Sequence, residues 1–324
     1  MGGFGVRLVV AGSVAALAVG VVTPALASAA PTVAPRQSME WVALGDSYTA
    51  GVIEATGDEV DAPPRDGCAR TVGSYPEVVR RDLGSLVHLH NVSCGAATIR
   101  NVTDTEQTPI GRPLPPDGSD PGAPFQPVRP QLEAVSPDTD LITVGVGGNS
   151  LGFGPILFRC LELGGGTGNT GTPCRDEFAA SIPARLAQVR DDYDQMLSAI
   201  HSRAPHARVI TVGYPHLVPE DSTGCTYGDL REFSTMTFGD LDWARTDLLE
   251  PLNAVIQQEA AAHGDTYVDL YGLSQGHSVC DRASNNWADG ILTSVIPFRF
   301  GFVHPNARGH THAAAEVEHA ILGD

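Results

Sequence analysis

The strongest constraint on the fold of this chain is the alternation of short apolar runs with segments of helical periodicity. The clearest strand covers residues 141–146, which are apolar and largely β-branched and are followed by glycines. The segment 178–204 places Leu186, Val189 and Tyr193 at helical spacing. Strands joined by helices predict a parallel sheet that helices cover on both faces. The predicted strands are "MEWVALGD", "VHLHNVS", "DLITVGVGGN", "ARVITVGYP" and "TYVDL", and the other predicted helices are "YPEVVRRDLG", "RTDLLEPLNAVIQQEAAAHG" and "NARGHTHAAAEVEHAILGD".

Three candidate site residues directly follow predicted strands. Ser47 comes after the first strand, Gly95 after the second and Asn149 after the third. The carboxyl ends of parallel strands meet at one edge of the sheet, and binding sites of such folds form there. Taken singly, Ser47 is typical of a helix N-cap, and Gly95 and Asn149 are typical of turns. We interpret Asp46, which precedes Ser47, as a turn or capping residue.

A histidine near the end of the chain completes a set of groups suited to acyl transfer. His304 stands in "RFGFVHPN", just before the last predicted helix. Acyl transfer requires a nucleophile, a base within hydrogen-bond reach and donors that face the oxyanion. Ser47, His304, the Gly95 N–H and the Asn149 amide are groups of these types. The motif G-x-S-x-G is absent around Ser47, so this is not the nucleophile elbow of the α/β-hydrolases.

Four blocks, "GDSY", "SCGAAT", "GGNS" and "HPNARGH", resemble in order and spacing those of the GDSL-type (SGNH) hydrolase family. The resemblance spans residues 41–310 and is greatest to the secreted bacterial lipases and esterases with three disulfides. It implies a flavodoxin-like three-layer α/β/α sandwich with a central parallel sheet. It also implies that Ser47 is the nucleophile and His304 the base. The oxyanion hole that it implies consists of the Ser47 N–H, the Gly95 N–H and the Asn149 side chain.

The group that orients His304 departs from the family pattern. The family commonly has Asp-x-x-His, whereas Gly301 stands three residues before His304 in this chain. We predict that the main-chain carbonyl of Gly301 or Phe302 accepts the imidazole Nδ1–H, which gives a Ser–His dyad similar to that of some secreted members. A carbonyl preserves control of the tautomer, although charge-assisted hydrogen bonds are roughly twice as strong. The remote carboxylate of Asp289, in "NNWADG", is the alternative.

The N-terminus has the parts of a secretory signal peptide. Arg7 is followed by an apolar run over residues 8–22, and small residues precede Ala27. The run is shorter than the ~20 residues that a membrane span needs, and Pro24 interrupts it. We predict cleavage after Ala27, with Ala30 as the alternative, and a secreted, extracellular chain without stable membrane insertion. The predicted organisation is 1–27 as signal peptide, 28–38 as N-terminal extension and 39–324 as a single hydrolase domain.

Six cysteines in a secreted chain predict three disulfides. Six cysteines allow fifteen pairings, and sequence alone does not choose among them. We predict that each cysteine pairs with its neighbour, as Cys68–Cys94, Cys160–Cys174 and Cys225–Cys280. The middle pair would close the glycine-rich loop 163–171. A zinc site is a poor alternative because the sequence has no C-x-x-C pair.

The charge of the chain limits its partners. It carries 38 acidic residues against 20 basic ones, all arginine, for a net charge of −18. Removal of residues 1–27 takes away one arginine, and 19 minus 38 leaves −19. This balance argues against nucleic acid and anionic membranes as partners. His310 and His312 lack the spacing of a metal site with His304, so we predict no metal. We also predict that the protein has no cofactor and is a monomer.

These features together predict a secreted carboxylic ester hydrolase, a lipase or esterase that forms an acyl-enzyme on Ser47. The expected substrates are lipid-like or simple acyl esters. A phospholipase or a carbohydrate acetyl-esterase at the same site and a non-catalytic binding module are the alternatives. The Pro- and Gly-rich loop 108–130 is predicted to help build the binding site. Five apolar residues would line an acyl-chain groove or, equally, belong to the core: Phe125, Leu151, Phe153, Ile156 and Leu157.

Overall fold

The computed structural model describes residues 1–13, 38–60, 64–282 and 284–323. The chain divides into two compact units, residues 1–36 and 37–324. Residues 1–13 of the first unit are exposed and form neither helix nor strand. The predicted cleavage after Ala27 and the predicted extension, apart from Ser38, lie outside the described residues. None of the described helices combines the length and the apolar character that crossing a membrane requires.

The second unit is built on a parallel sheet, which within the described residues has five strands in the order β2-β1-β3-β4-β5. This order is flavodoxin-like, and its switch point lies between β1 and β3. Trp41 pairs with Leu141 and Gly45 with Gly145, so β1 and β3 end at the same level. The strands are β1 (Met39–Gly45), β2 (Val87–Asn91), β3 (Leu141–Gly145), β4 (Arg208–Val212) and β5 (Thr266–Val268).

Helices pack on both faces of the sheet, which confirms the predicted α/β/α sandwich. Alternate residues of β1 point to opposite faces. Val42 and Leu44 join the larger core, under the helices Ile182–Arg203 and Glu250–His263. Trp41 and Ala43 join the smaller core, under the helices Tyr75–Leu83 and Ala307–Leu322. The helices are α1 (Ser47–Ala50), α2 (Tyr75–Leu83), α3 (Ile99–Thr103), α4 (Gly148–Leu151), α5 (Phe153–Gly164), α6 (Pro173–Phe178), α7 (Ile182–Arg203), α8 (Phe238–Trp243), α9 (Glu250–His263), α10 (Leu270–Leu273) and α11 (Ala307–Leu322).

Several elements differ from the sequence prediction, among them α5 (Phe153–Gly164), which was not predicted. The helix predicted from Arg245 begins earlier, with α8, and continues through a π-helical turn, Ala244–Leu249, into α9. It ends as predicted at Gly264, whose φ of 77° makes it a left-handed cap. An antiparallel hairpin that was not predicted, β6 (Leu292–Val295) and β7 (Phe298–Phe300), precedes His304. Single 3₁₀ turns lie at Glu54–Thr56, Gly84–Leu86, Gln131–Ala134, Ala179–Ser181 and Ser222–Gly224.

Disulfides join each cysteine to its neighbour in sequence. Cys68–Cys94 ties the segment before α2 to the loop that follows β2. Cys160–Cys174 links α5 to α6 and closes the glycine-rich loop between them. Cys225–Cys280 connects two loops that are 55 residues apart in sequence. The first of these bridges lies next to Gly95 and therefore bears on the candidate site.

Candidate active site

The turn that follows β1, residues 45–48, presents Ser47 at the carboxyl edge of the sheet, and we call it the serine turn. The Asp46 N–H donates to the Gly145 carbonyl at 3.0 Å, which fastens the turn to the end of β3. Asp46 caps α1, because its Oδ1 accepts from the Tyr48 N–H at 2.9 Å. The Ser47 N–H, at the start of α1, has no acceptor among the described residues, as is usual for the first turn of a helix.

Ser47 and His304 meet at this edge, although 257 positions separate them in sequence. The Nε2 atom of His304 lies 2.8 Å from the Ser47 Oγ. This is the distance at which a base accepts a proton from a serine nucleophile. Both side chains line the same cleft.

Backbone carbonyls hold the other nitrogen of the His304 ring. Nδ1 lies 2.9 Å from the Phe302 carbonyl oxygen and 3.2 Å from that of Gly301. Asp289 makes different contacts: its Oδ1 accepts from the Asn306 side chain at 3.1 Å, and its backbone N–H donates to the His304 carbonyl at 2.9 Å. Asp289 therefore supports the backbone around His304 and makes no hydrogen bond to the imidazole.

These carbonyls belong to a tight turn, residues 301–304, which we call the histidine turn. The His304 N–H donates to the Gly301 carbonyl at 3.0 Å, and φ is +47° at Phe302 and +60° at Val303. Two central residues of positive φ define a type I′ turn. Bulky and β-branched residues seldom adopt this conformation, so surrounding contacts must hold it. The Gly301 and Phe302 N–H groups both donate to the Ile291 carbonyl, which supplies part of that support.

The histidine turn has no space for the aspartate that the family commonly carries at this position. A Cβ atom on Gly301 would lie 2.5 Å from the Gly290 carbonyl oxygen and 2.9 Å from the Asp289 Cβ. Real Cβ contacts are not this short, so any side chain at position 301 would displace the turn. The replacement of the carboxylate by a glycine is therefore part of the same backbone arrangement that presents the carbonyls to Nδ1.

Tyr48 connects the serine turn to the histidine turn. Its hydroxyl donates to the Val303 carbonyl at 2.5 Å, and its ring centroid lies 4.9 Å from that of His304. The hydrogen bond holds Val303, one of the two residues of positive φ in the histidine turn. Because Tyr48 directly follows Ser47, one residue fixes the relative position of the nucleophile and the base.

A second brace joins the serine turn to the loop that carries Asn149. The Tyr214 hydroxyl donates to Asp46 Oδ2 and accepts from the Gly148 N–H at 2.8 Å. Burial raises the pKa of Asp46 to about 7, and the bond from Tyr214 opposes this rise only in part. Sequence reasoning missed Tyr214. The available signal was its place just after β4, at the edge where the other site residues lie.

One donor of the predicted oxyanion hole already has an acceptor in the structure. The Gly95 N–H donates to the Cys68 carbonyl at 3.0 Å and so does not face the cleft as a free donor. The next N–H, that of Ala96, has no acceptor among the described residues, and Ala96 lines the cleft with φ at +64°. Asn149 Nδ2 donates to the Ala97 carbonyl at 3.0 Å, which leaves its second hydrogen for a ligand.

The imidazole of His304 is held in its neutral form. Burial lowers its pKa to about 4, and the Phe302 and Gly301 carbonyls, which stabilise the protonated ring, offset only part of that effect. With the Nδ1–H directed at the carbonyls, Nε2 carries the lone pair that faces Ser47. The ring therefore presents an acceptor to the serine hydroxyl over most of the pH range.

The cleft above the two turns has a volume of about 410 Å³ and a largely apolar wall. Phe153 and Leu157 line it, as predicted for an acyl-chain groove, whereas Leu151 and Ile156 are buried in the core. Phe125 lies outside the cleft lining, with the Arg65 guanidinium 5.5 Å from its ring. Further apolar wall residues come from other elements: Leu217, Leu249 and Leu252. The predicted loop 108–130 contributes Ile110, Gly111, Pro113, Gly118 and Ser119.

Two histidines near the start of the closing helix, His310 and His312, have structural contacts. His310 is buried, and its Nδ1 accepts from the Tyr75 N–H at 3.1 Å. The ring of His312 stacks on Trp287 with a centroid distance of 4.0 Å. Among the described residues, neither ring makes a hydrogen bond to the imidazole of His304.

Known proteins resemble this chain in sequence and structure. The GDSL-like lipase/acylhydrolase family matches residues 43–312. A protein named Lipase 2 from Streptomyces coelicolor is 33% identical over 306 residues, covering 93% of this chain and 92% of its own length. A protein named Esterase from Streptomyces scabiei is 28% identical over 320 residues, covering 89% and 87%. The crystal structure of an extracellular lipase from Streptomyces rimosus superposes with a TM-score of 0.59 at 24% identity, covering 87% of this chain and 100% of that one.

Proposed function

This chain belongs to the GDSL-like lipase/acylhydrolase family, and we propose that it hydrolyses lipid-like carboxylic esters through an acyl-enzyme on Ser47. It is a carboxylic ester hydrolase, as the family and the relatives named lipase or esterase indicate. The observation that carries the proposed mechanism is the 2.8 Å contact between the Ser47 Oγ and the His304 Nε2. The carbonyls on the opposite side of the ring support it, because they fix the tautomer.

In the first half-reaction, Ser47 Oγ attacks the acyl carbonyl while its proton passes to His304 Nε2. The carbonyl π bond becomes an oxyanion, and the imidazolium that forms keeps its Nδ1–H on the Phe302 carbonyl. When the tetrahedral intermediate collapses, the C–O bond to the alcohol breaks. Nε2 returns the proton to the leaving alkoxide, and the acyl group stays on Ser47.

The second half-reaction repeats these steps with water. Nε2 takes a proton from the water as its oxygen attacks the acyl-enzyme carbonyl. Collapse of the second intermediate breaks the bond to Oγ, and Nε2 returns the proton to Ser47. The products are the carboxylic acid and the free enzyme.

Three donors are proposed to stabilise the oxyanion: the Ser47 N–H, the Ala96 N–H and the second Nδ2 hydrogen of Asn149. All three residues line the cleft beside His304. Preorganised donors of this kind contribute several kcal/mol, since removing one in a related type of site costs about 3 to 4 kcal/mol. We propose that Gly95 supports the hole indirectly, because its bond to Cys68 fixes the backbone that presents Ala96.

The wall of the cleft supports an acyl ester of lipid type as the substrate. Phe153, Leu157, Leu217, Leu249 and Leu252 offer an apolar surface beside Ser47. An alkyl chain buried there gains about 0.8 kcal/mol for each methylene group. A phospholipid ester fits the same chemistry, whereas an acetylated sugar would leave this surface uncovered. The cleft therefore supports a lipase or esterase more strongly than a carbohydrate acetyl-esterase.

We also propose that the hydrolase domain, residues 39–324, acts outside the cell after cleavage at Ala27. The disulfides support this proposal, because such bridges persist in oxidising compartments. The similarity to a lipase described as extracellular points the same way. N-terminal sequencing of the secreted protein would test it, and a first residue other than Ser28 or Pro31 would contradict the proposed cleavage sites.

A covalent inhibitor tests the proposed nucleophile. An alkyl phosphonate ester should add one adduct mass to the peptide that contains Ser47 and should abolish esterase activity in parallel. Ser47→Ala should remain unlabelled, while Ser150→Ala, a nearby serine outside the proposed mechanism, should label like the natural protein. An unlabelled natural protein would support the non-catalytic module instead.

A substrate panel tests the proposed substrate class. The rate constant kcat/KM on p-nitrophenyl esters should rise from the acetate to medium-length acyl chains as the apolar wall is filled. Phosphatidylcholine, run in parallel, distinguishes a phospholipase from a simple esterase. A clear maximum at the acetate, together with release of acetate from acetylated xylan, would favour the carbohydrate acetyl-esterase.

A further inference from the structure

The tip of the β6–β7 hairpin exposes a run of apolar side chains to solvent. Val295 is 49% exposed, Ile296 91% and Phe298 40%, and Pro297 between them is also exposed. We call residues 295–298 the tip patch. Soluble proteins seldom leave neighbouring large apolar residues uncovered, and such patches mark contacts with other apolar surfaces.

Aromatic rings connect the tip patch to the active site. The ring of Phe298 contacts that of Phe300 edge to face at 5.1 Å, and Phe300 stacks on Phe302 at 4.7 Å. Phe302 contacts Phe158 at 5.5 Å, and both of these rings line the cleft. A series of ring contacts therefore connects the solvent-exposed tip to the histidine turn.

The loop that contacts these rings from the other side, residues 108–130, adds a further exposed apolar residue. Ile110 is 64% exposed and lines the cleft. Gly118, in the same loop, packs against the rings of Phe302 and Phe300, because a Cβ placed on it would lie 3.2 Å from the first and 3.5 Å from the second. Exposed apolar residues therefore lie in the cleft lining, at Ile110, and at the far end of the ring series, in the tip patch.

We propose that the tip patch docks this enzyme on the surface of zwitterionic lipid aggregates, so that the cleft opens onto the lipid. The proposal rests on the proposed function, since it concerns how a lipid-like ester reaches Ser47. The continuity of the tip patch with the cleft favours lipid as the occupant, because a lipid surface would supply substrate to the same apolar path. The net charge of −18 opposes binding to anionic surfaces. Partly inserted apolar side chains, with aromatic rings at the boundary, are a common means of such attachment.

A binding experiment tests docking independently of catalysis. The secreted form proposed above, residues 28–324, would carry Ser47→Ala and be mixed with vesicles of phosphatidylcholine, and the bound fraction would be measured by sedimentation. Adding Ile296→Ser and Phe298→Ser should weaken the partition by about tenfold for each side chain, as expected for the loss of a buried apolar group. Ile296→Ser alone guards against misfolding, because this side chain is almost fully exposed. The matched control is Leu86→Ser, 38% exposed and directly before β2 at the opposite edge of the sheet.

An activity experiment separates failure of docking from failure of the proposed function. On soluble p-nitrophenyl acetate, the Ile296→Ser/Phe298→Ser variant should match the natural protein. On dispersed lipid ester, its rate at low lipid concentration should fall by at least tenfold, while Leu86→Ser has no effect. If the natural protein hydrolyses neither substrate, the proposed function fails, and the binding experiment still decides whether the tip patch docks.

Three results would overturn the proposal. One is equal binding of the natural sequence and the Ile296→Ser/Phe298→Ser variant to phosphatidylcholine vesicles. Another is an equal loss of binding in the Leu86→Ser control. The third is a dimer in sedimentation equilibrium that the tip variants convert to a monomer, because the tip patch would then be an interface between two copies of this chain.

Discussion

The serine turn and the histidine turn hold the two proposed reacting groups by different means. The serine turn continues β1 directly into α1, and the bond from Asp46 to the end of β3 ties it to the sheet. The histidine turn follows a small hairpin outside the sheet and contains two non-glycine residues of positive φ. The serine turn follows directly from the geometry of the sheet. The histidine turn depends on contacts from other elements, such as the Ile291 carbonyl and the Tyr48 hydroxyl. A chain can therefore keep a fixed nucleophile while the support of its base is rebuilt from backbone carbonyls.

The largest expected effect comes from removing either reacting group. Ser47→Ala and His304→Ala should each lower kcat by roughly 10⁴- to 10⁶-fold, because nucleophile and base act as one unit. Measurement of kcat on p-nitrophenyl butyrate, with circular dichroism to verify folding, checks this expectation. A His304→Ala variant that keeps a tenth of the activity would contradict the role of His304 as the essential base.

The next effect tests whether the histidine turn tolerates any side chain at position 301. Gly301→Asp should lower the free energy of unfolding by about 1 to 3 kcal/mol, since its Cβ would overlap the Gly290 carbonyl. It should also lower kcat, by about 10²-fold, because displaced carbonyls no longer hold Nδ1. Urea denaturation and steady-state kinetics provide the measurements.

Gly224→Ala is the matched control for this substitution. A Cβ at position 224 meets no atom within 4 Å, so stability and kcat should change little. If Gly301→Asp instead exceeds the natural activity, a carboxylate at position 301 does fit, and the proposed steric basis of the departure is wrong.

A smaller effect is expected from the link between the turns. Tyr48→Phe keeps the ring beside His304 but removes the hydroxyl bond to the Val303 carbonyl. Leaving this carbonyl unpaired costs about 1 to 3 kcal/mol, so kcat should fall by roughly tenfold with KM unchanged. Steady-state kinetics on p-nitrophenyl butyrate separates the two constants.

Tyr227→Phe is the control for a bond of the same kind away from the cleft, because the Tyr227 hydroxyl donates to the Gly164 carbonyl at 2.6 Å. It should lower thermal stability without changing kcat. Equal losses of kcat in the two variants would assign Tyr48 a general structural role and remove it as a positioning residue.

The pH dependence of activity should reflect the burial of His304. Because burial lowers the pKa of His304 to about 4, the neutral base persists as pH falls, and kcat/KM should decline only near that value. In the unfolded chain the ring is protonated below about 6.5, so the stability due to the neutral ring is complete above that pH and is lost as pH falls towards 4. A pH–rate profile on a soluble ester, with fluorescence to monitor unfolding, measures both.

Asp46 requires a control in this profile, because burial raises its pKa to about 7. Asp46→Asn removes that titration and should leave the acid limb of kcat/KM where it was. An acid limb above pH 6.5 that persists in Asp46→Asn would indicate a carboxylate partner that raises the pKa of His304.

The sheet and the serine turn were predictable because both follow from local pattern. The apolar run of β1 ends at a glycine, and Asp46 and Ser47 carry the side chains of a helix start. For the histidine turn, the sequence showed only that the usual aspartate is replaced by Gly301. Its geometry depends on the unpredicted hairpin and on the Tyr48 bond to Val303, across 255 positions in sequence.

The same reason explains why the sequence revealed neither the bond of the Gly95 N–H nor the place of Tyr214. Sequence blocks name residues but do not show which backbone N–H remains unpaired. The Cys68 carbonyl that engages Gly95 comes from a segment brought close by a disulfide. Tyr214 meets Asp46 across 168 positions, and no local pattern marks such a contact.

The identity of the group that holds the imidazole is tested most directly by kcat/KM of Asp289→Asn beside that of His304→Ala. Asparagine keeps an oxygen acceptor for the Asn306 side chain, so the backbone support should survive. If neutral carbonyls orient the ring, the Asp289→Asn variant should retain at least about a third of the natural kcat/KM, since no bond to the imidazole is lost. A fall as deep as that of His304→Ala would mean that a carboxylate completes a triad, and the account of the histidine turn would be wrong.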